Sequence, residues 1–532
     1  MEEPTCSSPI PSPSTPPTAT NPAITHNDGM TRSQAANLYI SLPNLSFKII
    51  FAASAFPDTL AASSTRGIIR TLASICLSSS IGRWVDKSPH RLKTLSSTIS
   101  INRLSVIAAS ILWLCIADPR VGDTSSFTPP IPTFGKYGAF ALILVMEISE
   151  TLSAQGNMLS MERDFVVTAA DPDGHPYDLT NLNAVMRRID LTCKLIAPLI
   201  ISAIISATSA KIGVLFVGGM SLASWAVELW CAKRVWDMNA KLRVLKITNP
   251  DNSREQIYVT PVNRVVRGFY QYTQDIKQYF ASPVWIPSFS LALLHLSALS
   301  YAATFITFLL NSGISLPIIT IARAAGSVVE ISSTLITPYG VTRLGKASRH
   351  GYFRGQPLEN QDSETTLLES RQAENYIPDT KGNTEVGLER LGLWGLTFQF
   401  LNLLPVLLSI SLLSSTSASP SSLNLFLTFL TLFLPLSLSR LGLWTYDLTT
   451  TQLVQTLHPS TSLSAFSGAE NTFIAFFELT QHVCGIIWAR PEDFVWIASV
   501  GVGSVGVSAV LYAGWVRRVR GHLVHWRWGC KG

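Results

Sequence analysis

Residues 161–200, MERDFVVTAADPDGHPYDLTNLNAVMRRIDLTCKLIAPLI, join two apolar segments through a short acidic loop. The second segment carries Asn183, Arg187, Asp190 and Lys194 at spacings of four, three and four, which places them on one helical face. A lipid-facing helix cannot bear that face. Charge within an apolar helix is costly and must point into a bundle interior or an aqueous cavity. There it can serve as a structural ion pair clamping two helices or as a gate that moves, with Asp190 pairing Arg187 or a cation from another helix. Further polar groups stand inside apolar segments: Glu147, Glu150, Asn157 and Asp164 along one stripe, then Glu228, Glu330, Asp447, Glu470 and Glu478. Glu478 and His482 form an i, i+4 carboxylate and imidazole pair. Such a pair can reach one divalent metal ion, or equally can be a buried hydrogen-bonded tie between helices. His295 reads as a satisfied core histidine.

The elements that position these groups are membrane-spanning helices. The chain has 532 residues, 47% hydrophobic and 14% charged, against about 25% charged in soluble proteins, and its mean hydropathy is positive. Apolar stretches of spanning length recur along the whole chain, which describes one polytopic body. The net charge of +6 does not call for a nucleic-acid partner, because Lys and Arg gather in alternate loops as orientation in a bilayer requires. Seven cysteines without CxxC or Cys/His clustering give neither a disulfide framework nor a zinc site. Cys76, Cys115, Cys193, Cys231 and Cys484 read as packing residues in or beside apolar segments.

The pattern predicts an all-α membrane protein with spans near 37–57, 63–84, 98–118, 136–160, 179–208 and 211–234, then 283–311, 315–342, 389–416, 421–448, 464–489 and 493–516. These divide into two six-helix halves. The expected organisation is a disordered tail at 1–36, an N-terminal bundle at 37–234, a cytoplasmic linker at 235–281, a C-terminal bundle at 282–345 and 389–520 interrupted by a disordered insert at 346–388, and a tail at 521–532. Basic residues crowd the breaks after the second, sixth and eighth spans and the C-terminal end, among them Arg83, Lys87, Arg91, Lys246, Arg343 and Arg517. Both termini are therefore expected in the cytoplasm.

The break after the second span reads IGRWVDKSPHRLK. Gly82 there permits a tight turn, Asp86 can accept hydrogen bonds at the next helix terminus, and Lys87 and Arg91 sit at the cytoplasmic surface. It resembles the Gly-x-x-x-Asp-Arg/Lys motif of major facilitators, which implies two bundles rocking about a central site. In the second half YGVTRLGKASRHG keeps Gly340 and Arg343 but has no following Asp.

Three blocks, IGRWVDK, MERDFVV with NLNAVMRRIDLTCKLIAP, and SRLGLWTYDLTTTQLVQ at 439–455, are together similar to segments of the ferroportin family. The resemblance implies export of iron(II) or a related divalent ion from the cytosol by alternating access, a role in metal homeostasis, and no covalent chemistry or resident cofactor. It also implies a monomer in the plasma membrane or an organelle membrane such as the vacuole. By position the family's intracellular gate falls on Arg163, Asp164, Arg187, Arg188 and Asp190, and cation ligands fall on Asn102 and Glu228. Glu478 and His482 complete the expected metal set. Two departures stand out. The first span has no acid before Asp58, where the family presents a metal-binding Asp. Ala303 takes the place of a metal-binding Cys on an interrupted seventh helix, and Gln481 takes the place of a His on the eleventh. A facilitator for an organic solute, with 13 Trp and 24 Phe available to line a cavity, and a non-transporting membrane homologue are the alternatives.

Overall fold

The computed structural model describes residues 61–116, 133–170, 178–208, 210–246, 261–299, 316–352, 380–415, 429–488 and 494–520, with isolated positions from 305 to 314 and at 490 and 493. The expected tail at 1–36, the span at 37–57, Ala303, and residues 353–379 and 521–532 lie outside the described residues.

The described residues are helical throughout, with no strand. The N-terminal half contains α1 (Ala61–Lys87), α2 (Arg91–Ile116), α3 (Thr133–Met158), α4 (Leu179–Ala207) and α5 (Ala210–Met238). After α5 comes α6 (Pro261–Ala281), and the C-terminal half comprises α7 (Trp285–Leu294), α8 (Leu316–Tyr352), α9 (Thr380–Ser415), α10 (Leu434–Leu457), α11 (Leu463–Ile487) and α12 (Phe494–Arg520). Every expected span from 63 onward overlaps one of these helices. Five of them, α2, α5, α8, α9 and α12, contain stretches long and apolar enough to cross a membrane by composition alone.

α8 runs on to Tyr352 and α9 starts at Thr380, so the insert expected to be disordered at 346–388 is helical at both its ends, and α10 ends at Leu457 and not near 448. Three further differences have a local reason. The expected start of α2 is near 98, yet the helix begins at Arg91, two residues after Pro89, because a proline is best tolerated just ahead of a helix. Within the seventh span, whose described residues are helical again at 305, 306, 308 and 309, α7 ends at Leu294, where His295, Leu296 and Ser297 close tight turns on Ala292, Leu293 and Leu294. There Ser297 presses on Gly501 of α12, at a point where a side chain on residue 501 would meet the Ser297 hydroxyl at 2.9 Å. The linker at 235–281 carries α6, whose Asp275 pairs with Ser79 and Arg83 of α1 and whose Tyr279 stacks on Phe466 of α11 at 4.8 Å.

Each half has its own apolar core. In the N-terminal half Leu95, Ile99, Phe165, Leu182, Met186 and Val235 interlock; in the C-terminal half Leu291, Phe308, Leu403, Tyr446, Val505 and Tyr512 do so. Between bilayer-embedded helices, association comes from close packing and polar ties more than from expulsion of water. That explains the glycines at the seam of α1 and α11. A Cβ on Gly82 would run into the backbone carbonyl of Ser464, and one on Gly468 would stand 2.6 Å from the carbonyl of Ser78.

Candidate functional site

At its C-terminal end α3 changes pitch, and Leu159–Phe165 form a π-helical turn. The extra residue per turn re-aims successive side chains, an arrangement frequent at functional sites. Arg163 is buried and donates from Nη1 to the carbonyl of Thr451 on α10 at 3.1 Å. Asp164 turns the other way and accepts from Arg91 Nε at 2.7 Å and Lys246 Nζ at 2.6 Å. The π-helical turn also removes Asp164 from the stripe that an unbroken α-helix would have given it with Glu147, Glu150 and Asn157.

Asn183, Arg187, Asp190 and Lys194 do share one face of α4, and that face meets α10. Asp178 caps the helix by accepting from Asn181 N at 2.9 Å, which fixes where the face begins. Asn183 Nδ2 donates to Gln455 Oε1 at 2.6 Å, and Gln455 Nε2 donates to the Glu162 carbonyl at 2.8 Å. Gln452 Nε2 donates to Thr180 Oγ1 at 2.6 Å. Deeper in the bundle Arg187 spans Asp190 at 3.3 Å and Asp447 of α10 at 2.5 Å, while Lys194 holds Asp190 at 2.8 Å. Arg188 points elsewhere and donates to Thr334 Oγ1 of α8 at 3.0 Å. Arg187, Arg188 and Asp190 thus find their bonding partners on α10, α8 and α4 itself, and not in Arg163 or Asp164.

The motif after α1 joins the same assembly, with two revisions. Gly82 lies within a helix and not in a turn; its missing side chain is required by the crossing with α11. Asp86 accepts from the amides of Ser464 at 3.2 Å and Ala465 at 2.7 Å, so the terminus it binds is that of α11 in the other half and not that of α2. A carboxylate there meets unpaired amides and the positive end of a helix dipole. Burial nevertheless pushes its carboxyl up to about 6, against the lowering effect of those amides. Lys87 is exposed at the end of α1. Arg91 ties Asp164 and the Val244 carbonyl together, so motif and gate are one structure.

The expected metal ligands divide into two places. Asn102 is buried and donates to the Glu150 carbonyl at 3.1 Å, joining α2 to α3. Glu228 is fully buried, and both its oxygens are taken by Arg103, at 2.5 Å from Nη2 and 3.1 Å from Nε. In this conformation its charge clamps α5 to α2. On α11, Glu478 Oε1 lies 3.4 Å from Nδ1 of His295, the C-terminal cap of α7, and both side chains are about two-fifths exposed, at 43% and 40%. His295 is therefore not a core histidine. His482 stands one turn beyond Glu478. Among the described residues no three His, Cys, Asp or Glu side chains converge on one point that could hold a metal.

Residues outside the expected set complete the seam: Thr451, Gln452, Gln455 and Trp444 on α10, with Glu330 of α8 paired with Arg440 at 2.7 Å behind it in the C-terminal half. For those on α10 the signal was the block at 439–455, whose Thr449–Gln452 run and Gln455 put polar side chains along an otherwise apolar helix.

Comparison with known proteins agrees with this architecture. The family model for Ferroportin1 (FPN1) matches residues 45–352 and 382–505. The rice (Oryza sativa subsp. japonica) protein Solute carrier family 40 member 1 is 26% identical over 88% of this chain and 86% of its own. Human (Homo sapiens) ferroportin is 21% identical over 87% of this chain and 86% of its own. A bacterial homologue of iron transporter ferroportin, crystallised in an outward-facing state, superposes with a TM-score of 0.69 at 18% identity over 92% of this chain and 99% of its own. A double-tryptophan variant of XylE gives 0.57 at 10% identity over 93% and 96%, so the fold is that of the major facilitators. With the family model matched through both halves, this chain belongs to the ferroportin family.

Proposed function

We propose that this chain exports iron(II) or a related divalent metal ion across a membrane by alternating access. The observation that carries the reading is the family match itself, which runs through both halves and includes every residue of the charged seam. Positive loops face the cytosol in membrane proteins, so the end bearing Arg83, Arg91, Lys246 and Arg343 is cytosolic and the seam closes the cytosolic side. Both termini and the insert between α8 and α9 lie on that side, and the chain works as a monomer.

The residues suggest how a cation passes. With the cytosolic seam parted, Asp447 loses Arg187, its partner across the halves, and attracts a divalent ion into the gap. When the halves rejoin, Arg187 reclaims Asp447 and expels the ion toward the far mouth, while Asp164 keeps Arg91 and Lys246, and Asp190 keeps Lys194, on the N-terminal side throughout. There Glu478 and His295, 3.4 Å apart, offer one carboxylate and one imidazole, donors suited to iron(II). Too few ligands to form a closed cage leave the ion free to depart. Asn102 and Glu228 are a second candidate pair, which an ion reaches only by displacing Arg103.

Reconstitution into liposomes holding a metal-sensing dye tests the reading, with an organic-solute panel in parallel. Iron(II) or cobalt(II) flux above that of protein-free liposomes is expected. Flux of an organic solute alone would move the chain to the organic facilitators, and no flux of either kind would favour a non-transporting homologue.

A further inference from the structure

Trp444 of α10 is ringed by three cations. Arg187 Cζ lies 5.2 Å, Lys194 Nζ 5.3 Å and Arg440 Cζ 5.8 Å from the ring centroid. The first two come from α4 in the opposite half, seven residues and two turns apart, so the indole spans two levels of the α4 face. Each cation also has a carboxylate: Asp190 and Asp447 for Arg187, Asp190 for Lys194, and Glu330 for Arg440.

The indole Nε1 is buried and has no acceptor among the described residues. A tryptophan kept for its N–H normally finds an acceptor when buried. What is used here is the face of the ring, the best cation-binding surface among the side chains.

We infer that Trp444 is a positioning residue of the gate: its ring seats Arg187 and Lys194 of α4 against α10 when the halves meet and releases both when they part. The inference rests on the alternating-access reading. It adds to that reading a group that sets how far the closed arrangement is favoured. Carboxylates alone hold a guanidinium in one direction and can be replaced by water; a ring face under two cations requires both α4 turns to be docked together. Each cation–π contact is worth a factor of roughly two to five in an equilibrium, so losing two shifts it by roughly five- to twentyfold.

The test is a distance measurement between spin labels at His90→Cys in the turn before α2 and Thr342→Cys on α8, both exposed at the basic end, with the native cysteines replaced by serine. In nanodiscs the parent protein should give predominantly the short distance. Trp444→Phe, which keeps a ring face and lacks the N–H, should stay within about threefold of it, because phenylalanine binds cations less strongly. Trp444→Leu should raise the long-distance population roughly five- to twentyfold. Should the leucine variant not fold, Lys194→Met removes one of the two crossing contacts at a partly exposed position and should shift the population several-fold in the same direction. Unchanged distances in Trp444→Leu and Lys194→Met overturn the inference, as does a phenylalanine variant that behaves like leucine. Because no substrate is needed, the distances are read independently of whether metal flux is found.

Discussion

At the basic end of the bundle each level of the seam between the halves carries a polar tie. Asp86 holds the first amides of α11, Arg163, Asn183 and Thr180 meet Thr451, Gln455 and Gln452 of α10, and Arg187 reaches Asp447. At the opposite end the polar cluster of His295 and Glu478 joins α7 to α11 inside one half and stays about two-fifths exposed. The contrast shows how a rocking bundle separates its tasks. One mouth is closed by exchangeable hydrogen bonds and charges that water can replace when the halves part, whereas the other keeps donor atoms accessible to an ion. Purely apolar contacts would give little discrimination between the two arrangements, since lipid solvates an apolar helix face as well as a neighbouring helix does.

The largest expected effect comes from removing a seam carboxylate. Asp447→Ala leaves Arg187 without its partner across the halves, a loss of about 1.5–3 kcal/mol for a partly buried pair whose guanidinium keeps Asp190. Metal flux in liposomes should fall more than tenfold, and the spin-label distances at the basic end should lengthen. Glu478→Ala, at the exposed end, should instead weaken metal binding and leave those distances unchanged. If both variants behave alike, the two ends do not have separate tasks.

Acidity should act on the basic end through Asp86. Because burial holds its carboxyl at about 6 against an ordinary 3.8, the folded, closed protein binds that proton more tightly than the unfolded chain. Its contribution to stability is thus fully present below about pH 3.8 and is lost as pH rises through about 6, a difference of roughly 3 kcal/mol. Melting temperatures of wild type and Asp86→Asn, measured from pH 4 to 7.5, should therefore diverge, with wild type losing ground to the asparagine variant as pH rises. A gap that is constant across this range would show that Asp86 is solvated and not seated on α11.

A purely steric probe should give a smaller shift. Gly82→Ala sets a methyl group against the Ser464 backbone and forces α1 from α11, an overpacking effect of about 1–3 kcal/mol visible as a lower melting temperature. Gly67→Ala in the same helix, with nothing within 4 Å of the added atom, should leave melting unchanged. Asn183→Ala should have the mildest effect, about 1 kcal/mol for one hydrogen bond plus the unpaired Gln455 amide.

Much of this was legible in the chain. Hydropathy located the spans, since spanning length and charge exclusion are imposed by the bilayer itself, and helical spacing placed the Asn183 to Lys194 face correctly. What spacing cannot give is the partner of such a face, which depends on helix packing. The pairing of Arg187 with Asp447 joins residues 260 positions apart, and Asp86 binds amides nearly 380 positions away. The π-helical turn at Leu159–Phe165 also defeats a period of 3.6, so Asp164 leaves the stripe that helical spacing predicts for it. Glu228 illustrates the same limit: an acid in a spanning helix reads as a ligand until its guanidinium partner is seen.

The central claim is that the α4–α10 seam must part for metal to pass. Asn183→Cys and Gln455→Cys, at positions whose native side chains meet at 2.6 Å, should be bridged by a short bifunctional methanethiosulfonate reagent in a background without the native cysteines. Metal flux through liposomes containing this variant should be abolished by the cross-link and restored by reductant. Flux that continues undiminished through a fully cross-linked population would contradict the account.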